Sequence, residues 1–294
     1  MVHGAVRPVI RLGTRGSALA LAQAALVRRR LEAAGSTVET IVIRSSGDAS
    51  QDRPVEQIGV GVFTRELEDA LLDRRIDIAV HSLKDLPSQT AAGLALAAVP
   101  EREDPRDAVL GRPLAALPPG SRVATSSPRR QDWLARRFPA LRSVPVRGNV
   151  DTRVRKLQDG EFEALLMAVA GLKRLGLDGE IAEVIPLEEL LPPAGQAALA
   201  VETRVGEEGL ASGIDDPPLH AAVDAERALF RLLRAGCRTP LGAHAAWRNG
   251  KLWLRADLAG LRADSEGGVA EDVAEVAAGQ LRSAGAEEIV RKWR

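Results

Sequence analysis

Hydrophobic and polar positions in the first hundred residues alternate between two periods. Val9–Thr14, Val38–Arg44 and Ile76-Asp77-Ile78-Ala79-Val80 are short, largely apolar stretches of strand length. Between them, Ala18–Ala33 and Val62–Arg74 repeat their apolar residues at helical spacing. Ser17 stands as an N-cap before the first helix, and Gly35 lies just past its end. The pattern predicts βαβαβ, and so a parallel or mixed sheet covered by helices. Ser45–Gly61, rich in glycine and polar residues, reads as a loop, with Gly59-Val60-Gly61 as a flexible lid. After a linker at Pro100-Glu101-Arg102-Glu103-Asp104-Pro105, a second α/β unit follows. Its strands fall at Arg122–Thr125, Ser143–Val146 and Ala164–Ala168, and its helices at Pro128–Phe138 and Val150–Gln158. Breaks at Leu191–Gly195 and Asp215–Pro218 lead into a different pattern. There a helix at Leu219–Arg234 precedes two strands around Asn249-Gly250, a strong hairpin signal, and a terminal helix at Ala270–Lys292.

Composition narrows the class. A chain of 294 residues has room for two or three domains. Forty basic residues balance forty acidic ones, so a non-specific nucleic-acid binder is disfavoured and any cationic site must be a local cluster. No apolar run approaches the roughly 18 residues of a bilayer span, and the first residues lack an apolar targeting stretch. The expectation is a cytoplasmic protein with neither nucleic-acid nor membrane partners. Cys237 is the single cysteine, which excludes an intrachain disulfide. His3, His81, His220 and His244 show no ligand spacing, so no metal is expected.

The candidate chemistry sits at strand ends. Ile76–Val80 runs into His81-Ser82-Leu83-Lys84-Asp85-Leu86-Pro87, and Pro87 forces the chain out of regular structure. Lys84, one of only five lysines, and Asp85 therefore lie just past the carboxyl end of a strand, where open α/β sheets form ligand crevices. His81 reads as orienting rather than catalytic. Three further strand-to-helix junctions carry arginine: Thr14-Arg15-Gly16-Ser17, Ser126-Ser127-Pro128-Arg129-Arg130, and Arg147-Gly148-Asn149 followed by Arg153. A helix start with guanidinium groups in its first turn binds anions. Each junction alone also reads as a solvated helix start. Together they predict a guanidinium-lined crevice for a ligand bearing several carboxylates, and the absence of a Walker loop argues against phosphate. Among such cations Asp85 is expected to be buried and ionised, suited to stabilising a carbocation or moving a proton. A helix cap or a salt bridge to Lys84 is the alternative. Cys237, in Ala235-Gly236-Cys237-Arg238-Thr239-Pro240, reads either as a small buried hydrophobe or as an exposed anchor for a covalent group.

These segments resemble the porphobilinogen deaminase (hydroxymethylbilane synthase) family from about Val9 to the terminal helix. The pieces that carry the likeness are Arg11–Ser17, His81–Asp85, Glu101–Ala108, Thr125–Gln131, Arg147–Arg153, Ala168–Leu177 and Gly236–Gly242. The resemblance implies two α/β lobes like those of a solute-binding protein with a cleft between them, and a small α+β C-terminal domain. It places domain 1 at 1–102 with 197–214, domain 2 at 103–196 and domain 3 at 215–294. It implies a monomeric transferase of tetrapyrrole and heme biosynthesis that joins four porphobilinogens head to tail, with loss of ammonia. The implied cofactor is dipyrromethane, attached through a thioether to Cys237. Asp85 is then the catalytic carboxylate, assisted by Lys84. Lys84, Thr125, Ser126, Ser127, Arg129, Arg130 and Gly148 match residues that hold the cofactor. Arg15, Ser17, Gln23, Phe63, Arg147, Asn149, Arg153, Arg174 and Gln196 match those that hold substrate. This chain departs from the family in three places: Gln57 and Val60 stand where relatives carry lid lysines, Gln196-Ala197 replaces a commoner Gln-Gly, and the third strand of domain 3 is expected to be curtailed after Leu258. The rival readings are a non-catalytic solute-binding protein for a polycarboxylate and an unrelated carboxylate-processing transferase without a cofactor.

Overall fold

Apolar residues on both sides of the early strands require helices on both faces of a sheet, and the computed structural model has them. It describes residues 9–43, 64–236 and 238–293. The predicted loop at 45–61 and its lid, Phe63 and Cys237 lie outside these residues. The chain divides into two compact units, Met1–Glu101 with Ala198–Pro217, and Arg102–Ala197 with Pro218–Arg294.

In the first unit, β1 (Ile10–Thr14), β2 (Val38–Val42), β3 (Ile78–Ser82), β4 (Leu94–Ala98) and β10 (Leu199–Arg204) form one sheet in the order β2-β1-β3-β10-β4. β1 is parallel to β2 and β3, whereas β10 runs antiparallel between β3 and β4. Helix α1 (Ala18–Ala33) begins as expected, with Ser17 accepting a hydrogen bond from the Ala20 N–H. It packs Ala24, Val27 and Leu31 on Leu12, Ile78 and Val80. Helix α2 (Arg65–Leu72) packs Leu67, Ala70 and Leu71 against Ile76, Ala79 and Leu94. Ile78 and Val80 thus serve one face of the sheet and Ala79 the other, as alternation along a strand requires.

The second unit repeats this order. Strands β5 (Asp107–Gly111), β6 (Arg122–Ala124), β7 (Arg142–Val144), β8 (Ala164–Ala168) and β9 (Ile181–Ile185) assemble as β7-β6-β8-β5-β9. Here β6 is parallel to β7 and β8, and β5 is the antiparallel insert. Helices α3 (Pro128–Arg137), α4 (Val150–Gln158) and α5 (Val169–Arg174) follow β6, β7 and β8. In both sheets the antiparallel insert is the strand laid down as the chain enters the unit, β5 after Arg102 and β10 after Ala197.

The C-terminal part of the second unit comprises α6 (Pro217–Leu232), β11 (Leu241–Arg248), β12 (Lys251–Leu258), β13 (Leu261–Gly267), α7 (Ala270–Ser283) and α8 (Ala286–Lys292). The hairpin at Asn249-Gly250 has both residues at positive φ, 49° and 77°, as a two-residue turn demands. Two expectations are corrected here. The third strand is not curtailed: β13 pairs with β12 from Leu252↔Gly267 to Leu258↔Leu261, because Ala259-Gly260 turns the chain at φ 50° and 95°. The terminal helix is two helices, since Gly285 at φ 99° breaks its hydrogen-bond ladder. Glu226 of α6, fully buried, joins the parts of this unit. It accepts from Arg102 Nη1 and Nη2 at 2.7 and 3.2 Å, from the Gly195 N–H at 2.7 Å and from the Ala245 N–H at 2.8 Å.

Ala197, buried at the return crossing, is held at φ 73°. An L-residue there costs about 1–2 kcal/mol. Ala197→Gly removes that strain and adds about 0.4–1 kcal/mol of unfolded-chain entropy. The variant is expected to match or exceed wild-type stability by up to about 1 kcal/mol in chemical denaturation. A clear loss would mean that the methyl group packs more strongly than the backbone is strained.

Candidate functional site

In the first unit the expected residues gather at the carboxyl ends of the adjacent parallel strands β1 and β3. β1 delivers half-buried Arg15 and Ser17, the latter used as the cap of α1. β3 delivers the single helical turn Leu83–Asp85. Its backbone is tied down by the Leu83 N–H donating to the Ala198 carbonyl at 3.0 Å and by the Leu86 N–H donating to the Leu83 carbonyl at 3.1 Å. Leu83 is buried beneath it, whereas Lys84 and Asp85 are exposed. The expected burial of Asp85 is therefore corrected: a one-turn helix ending at Asp85, two residues before Pro87, turns its buried face inward through Leu83 and leaves the next two side chains outward. Gln23, 4% exposed, donates from Nε2 to Ser82 Oγ at 2.8 Å and so braces α1 against the end of β3. His81 lies beneath the turn with Nε2 3.2 Å from Glu202 Oε2, both almost wholly buried.

In the second unit the carboxyl ends of β6, β7 and β8 do the same work. After β6, Ser126 Oγ donates to the Val146 carbonyl at 2.7 Å and accepts from the Val146 N–H at 3.0 Å. The Ser127 N–H donates to Thr125 Oγ1 at 3.2 Å. Pro128 occupies the first turn of α3, but the Ser127 hydroxyl caps no N–H of that helix. After β7, Gly148 at φ 104° lies so close to Thr152 that a Cβ would meet its side chain at 2.7 Å, and its carbonyl accepts from Arg153 Nε at 2.7 Å. Half-buried Arg147 and exposed Asn149 flank it. After β8, Arg174 of α5 donates from Nη2 to the Ala197 carbonyl at 2.7 Å.

Arg129 and Arg130 depart most from the picture of arginines lining a crevice. Both are buried, and both reach Asp107, whose side chain has no exposure at all. Arg129 Nη2 donates to Asp107 Oδ2 and Arg130 Nη2 to Oδ1, each at 2.6 Å. The other ends are held by backbone, Arg129 Nη1 on the Leu191 carbonyl at 2.7 Å and Arg130 Nη1 on the Leu166 carbonyl at 3.0 Å. Gln196, also buried, donates from Nε2 to Asp107 Oδ1 at 3.0 Å and to the Pro105 carbonyl at 2.8 Å. Burial alone would raise the Asp107 pKa, but the two guanidinium charges hold it well below the ordinary carboxylate range. Burial in turn depresses the Arg129 pKa.

Asp107 and Glu202 were missed in the sequence. Asp107 sits in a linker-like Asp-Pro-Arg-Asp run, and Glu202 in an apolar stretch that looks uniformly structural. A carboxylate directly after the apolar run Ala197–Val201 was the available signal for Glu202.

Asp107 carries one charge against two guanidiniums, with Asp257 also acting on Arg129 but without a hydrogen bond to it, and Nε of both Arg129 and Arg130 is buried with no hydrogen-bond partner among the described residues. A buried surplus of this kind calls for an anion. The pyrrole carboxylates of the dipyrromethane that the resemblance implies fit that requirement. Among the described residues no group of histidine, cysteine and carboxylates could hold a metal ion.

Comparison with known proteins gives concordant results. A family model described as "Porphobilinogen deaminase, dipyromethane cofactor binding domain" matches residues 10–212, and one described as "Porphobilinogen deaminase, C-terminal domain" matches 220–287. Among curated relatives, a porphobilinogen deaminase of Sorangium cellulosum is 49% identical over 257 residues, covering 84% of this chain and 86% of the relative. Another, from Roseiflexus castenholzii, is 43% identical over 294 residues, 97% of each. The solved methionine-binding protein MetQ is 14% identical, covers 70% of this chain and 86% of its own, and has a TM-score of 0.45, too loose a likeness to add to the architecture. With relatives matching along nearly the whole chain and models covering both its α/β sheets and its C-terminal segment, this chain belongs to the porphobilinogen deaminase family.

Proposed function

We propose that Asp85 is the carboxylate with which this tetrapyrrole-forming transferase condenses porphobilinogen, and that Cys237 carries its dipyrromethane through a thioether. The activity follows from family membership; the residue roles are our reading. Dipyrromethane, when bound, supplies the pyrrole carbon to which the first substrate is joined. Loss of ammonia from porphobilinogen leaves a cation delocalised over the substrate's pyrrole, and an exposed carboxylate at a strand end is suited to stabilise it and to take the proton released when the new carbon–carbon bond restores aromaticity. Lys84, next to it, assists and offers a cation for a carboxylate of the cofactor.

Arg129 and Arg130, with Lys84, Thr125, Ser126, Ser127 and Gly148, are assigned to the cofactor. Arg15, Ser17, Gln23, Phe63, Arg147, Asn149, Arg153, Arg174 and Gln196 are assigned to the substrate and growing chain. Gln23, Ser17 and Gln196 act in this scheme chiefly through the bonds described above, which fix the elements that carry their neighbours. The second unit is read as two domains, 103–196 and 215–294, and the protein as a cytoplasmic monomer acting on a small molecule, as the family resemblance implies. The solute-binding alternative has only a loose structural likeness behind it.

The observation that carries this reading is the surplus positive charge buried around Asp107 at the strand ends of a chain of this family. The test is the intact mass of the purified chain. Wild type is expected to exceed its sequence mass by two condensed pyrrole units, and Cys237→Ser to match its sequence mass and be inactive. An unmodified wild-type chain that still turns over porphobilinogen would overturn the cofactor assignment.

A further inference from the structure

We infer that Asp107 is a positioning residue for cofactor capture: one buried carboxylate sets the orientation of both Arg129 and Arg130 toward the carboxylates of dipyrromethane. The inference rests on the reading of those two arginines given above. Neighbouring residues at a helix start project in different directions and do not face one another, yet here both side chains converge on one group. Each Asp107 oxygen takes a different guanidinium at 2.6 Å, and each guanidinium is held at its other end by a backbone carbonyl, of Leu191 or of Leu166. A planar fork anchored at both Nη atoms has its plane fixed, and with it the direction in which Nε–H points. Both Nε atoms are the ones left without a partner.

Asp107 itself cannot shift. It opens β5, paired to Ala168 on one side and Ile185 on the other, and Gln196 holds Oδ1 from a third direction. Stability alone does not account for the arrangement. A buried ion pair is often no more stabilising than apolar residues of equal volume, and a second guanidinium adds an unbalanced charge. An arrangement that orients two donors, and whose positive charge Asp107 and the more remote Asp257 offset only in part, is complete when an anion is bound.

The test uses the full chain freed of cofactor by expression without porphobilinogen synthesis, and follows mass gain on adding porphobilinogen. Arg129→Gln and Arg130→Gln are measured alongside Asp107→Asn and Asp107→Glu, each checked for a native near-ultraviolet spectrum. Asp107→Asn keeps the shape and removes the charge, whereas Asp107→Glu keeps the charge and displaces it by one methylene. The folded Asp107 variants are expected to load at least tenfold more slowly than wild type, with the arginine variants slowed as well. Should Asp107→Asn not fold, Asp107→Glu decides. Wild-type loading by a folded Asp107 variant, with the arginine variants slow, would overturn the inference and leave the arginine assignment standing. Wild-type loading by the arginine variants would overturn that assignment instead. If neither Asp107 variant folds, Asp107 is a structural residue and the inference fails.

Discussion

Asp85→Asn is expected to lower turnover of porphobilinogen by about a hundredfold to a thousandfold while leaving the melting temperature within a few degrees of wild type. The two halves of that expectation have separate grounds. The fold is insensitive because the Asp85 side chain is exposed and its carboxylate takes part in no hydrogen bond or ion pair among the described residues. The turn that carries it is held by backbone bonds and by buried Leu83, which the amide leaves intact. Turnover is sensitive because a neutral amide neither offsets a developing positive charge nor accepts a proton. Since that charge exists only on the way to product, kcat and kcat/KM should fall together, with little change in KM. Steady-state kinetics with a parallel thermal melt decide it. A variant that keeps more than a tenth of wild-type kcat would remove Asp85 from the proposed role.

Arg102→Ala is expected to destabilise the chain by about 3–5 kcal/mol, because it leaves Glu226 as an uncompensated buried charge. The geometry is unforgiving: Glu226 has no exposure and Arg102 almost none, and the two backbone N–H groups on Glu226 cannot replace a lost cation. The same pair sets an acid limit. Burial would raise the Glu226 pKa, but the charge of Arg102 and the neighbouring His244 hold it at about 2 instead of the ordinary 4.5. A carboxyl whose pKa is depressed on folding contributes its stability in full above the unfolded value and loses it as pH falls toward the folded one. Glu226 therefore contributes about 3 kcal/mol at neutral pH that disappears between about pH 4.5 and pH 2. Asp107 acts in the same sense. Urea denaturation across that range should show the midpoint dropping steeply in wild type and more shallowly in Glu226→Gln. A wild-type midpoint unchanged between pH 6 and pH 3 would refute this account.

The strand and helix pattern was readable wherever the chain repeats a local rule. Helices α1, α3 and α4 fall within a few residues of their predicted bounds, because caps, a proline in the first turn and helical apolar spacing are all local signals. Strands β4, β5, β9 and β10 were not foreseen. β5 and β9 are flanked by proline and charge, β4 and β10 are entered through alanine and glycine, and each of the four pairs with strands distant in the chain. The site divides in the same way. Placing Arg15, Asp85, Arg129, Arg147 and Arg153 at strand ends needed only the order of elements along the chain.

What the sequence by itself determined is therefore the α/β character, the location of the charged strand ends and the kind of ligand that many guanidinium groups suit, all of which follow from local spacing and residue chemistry. Tertiary structure alone decided which charges meet. Asp107 reaches arginines 22 and 23 positions away, and Arg102 reaches Glu226 across 124. Charge–charge energies depend on distance and burial in space, and no local pattern encodes either.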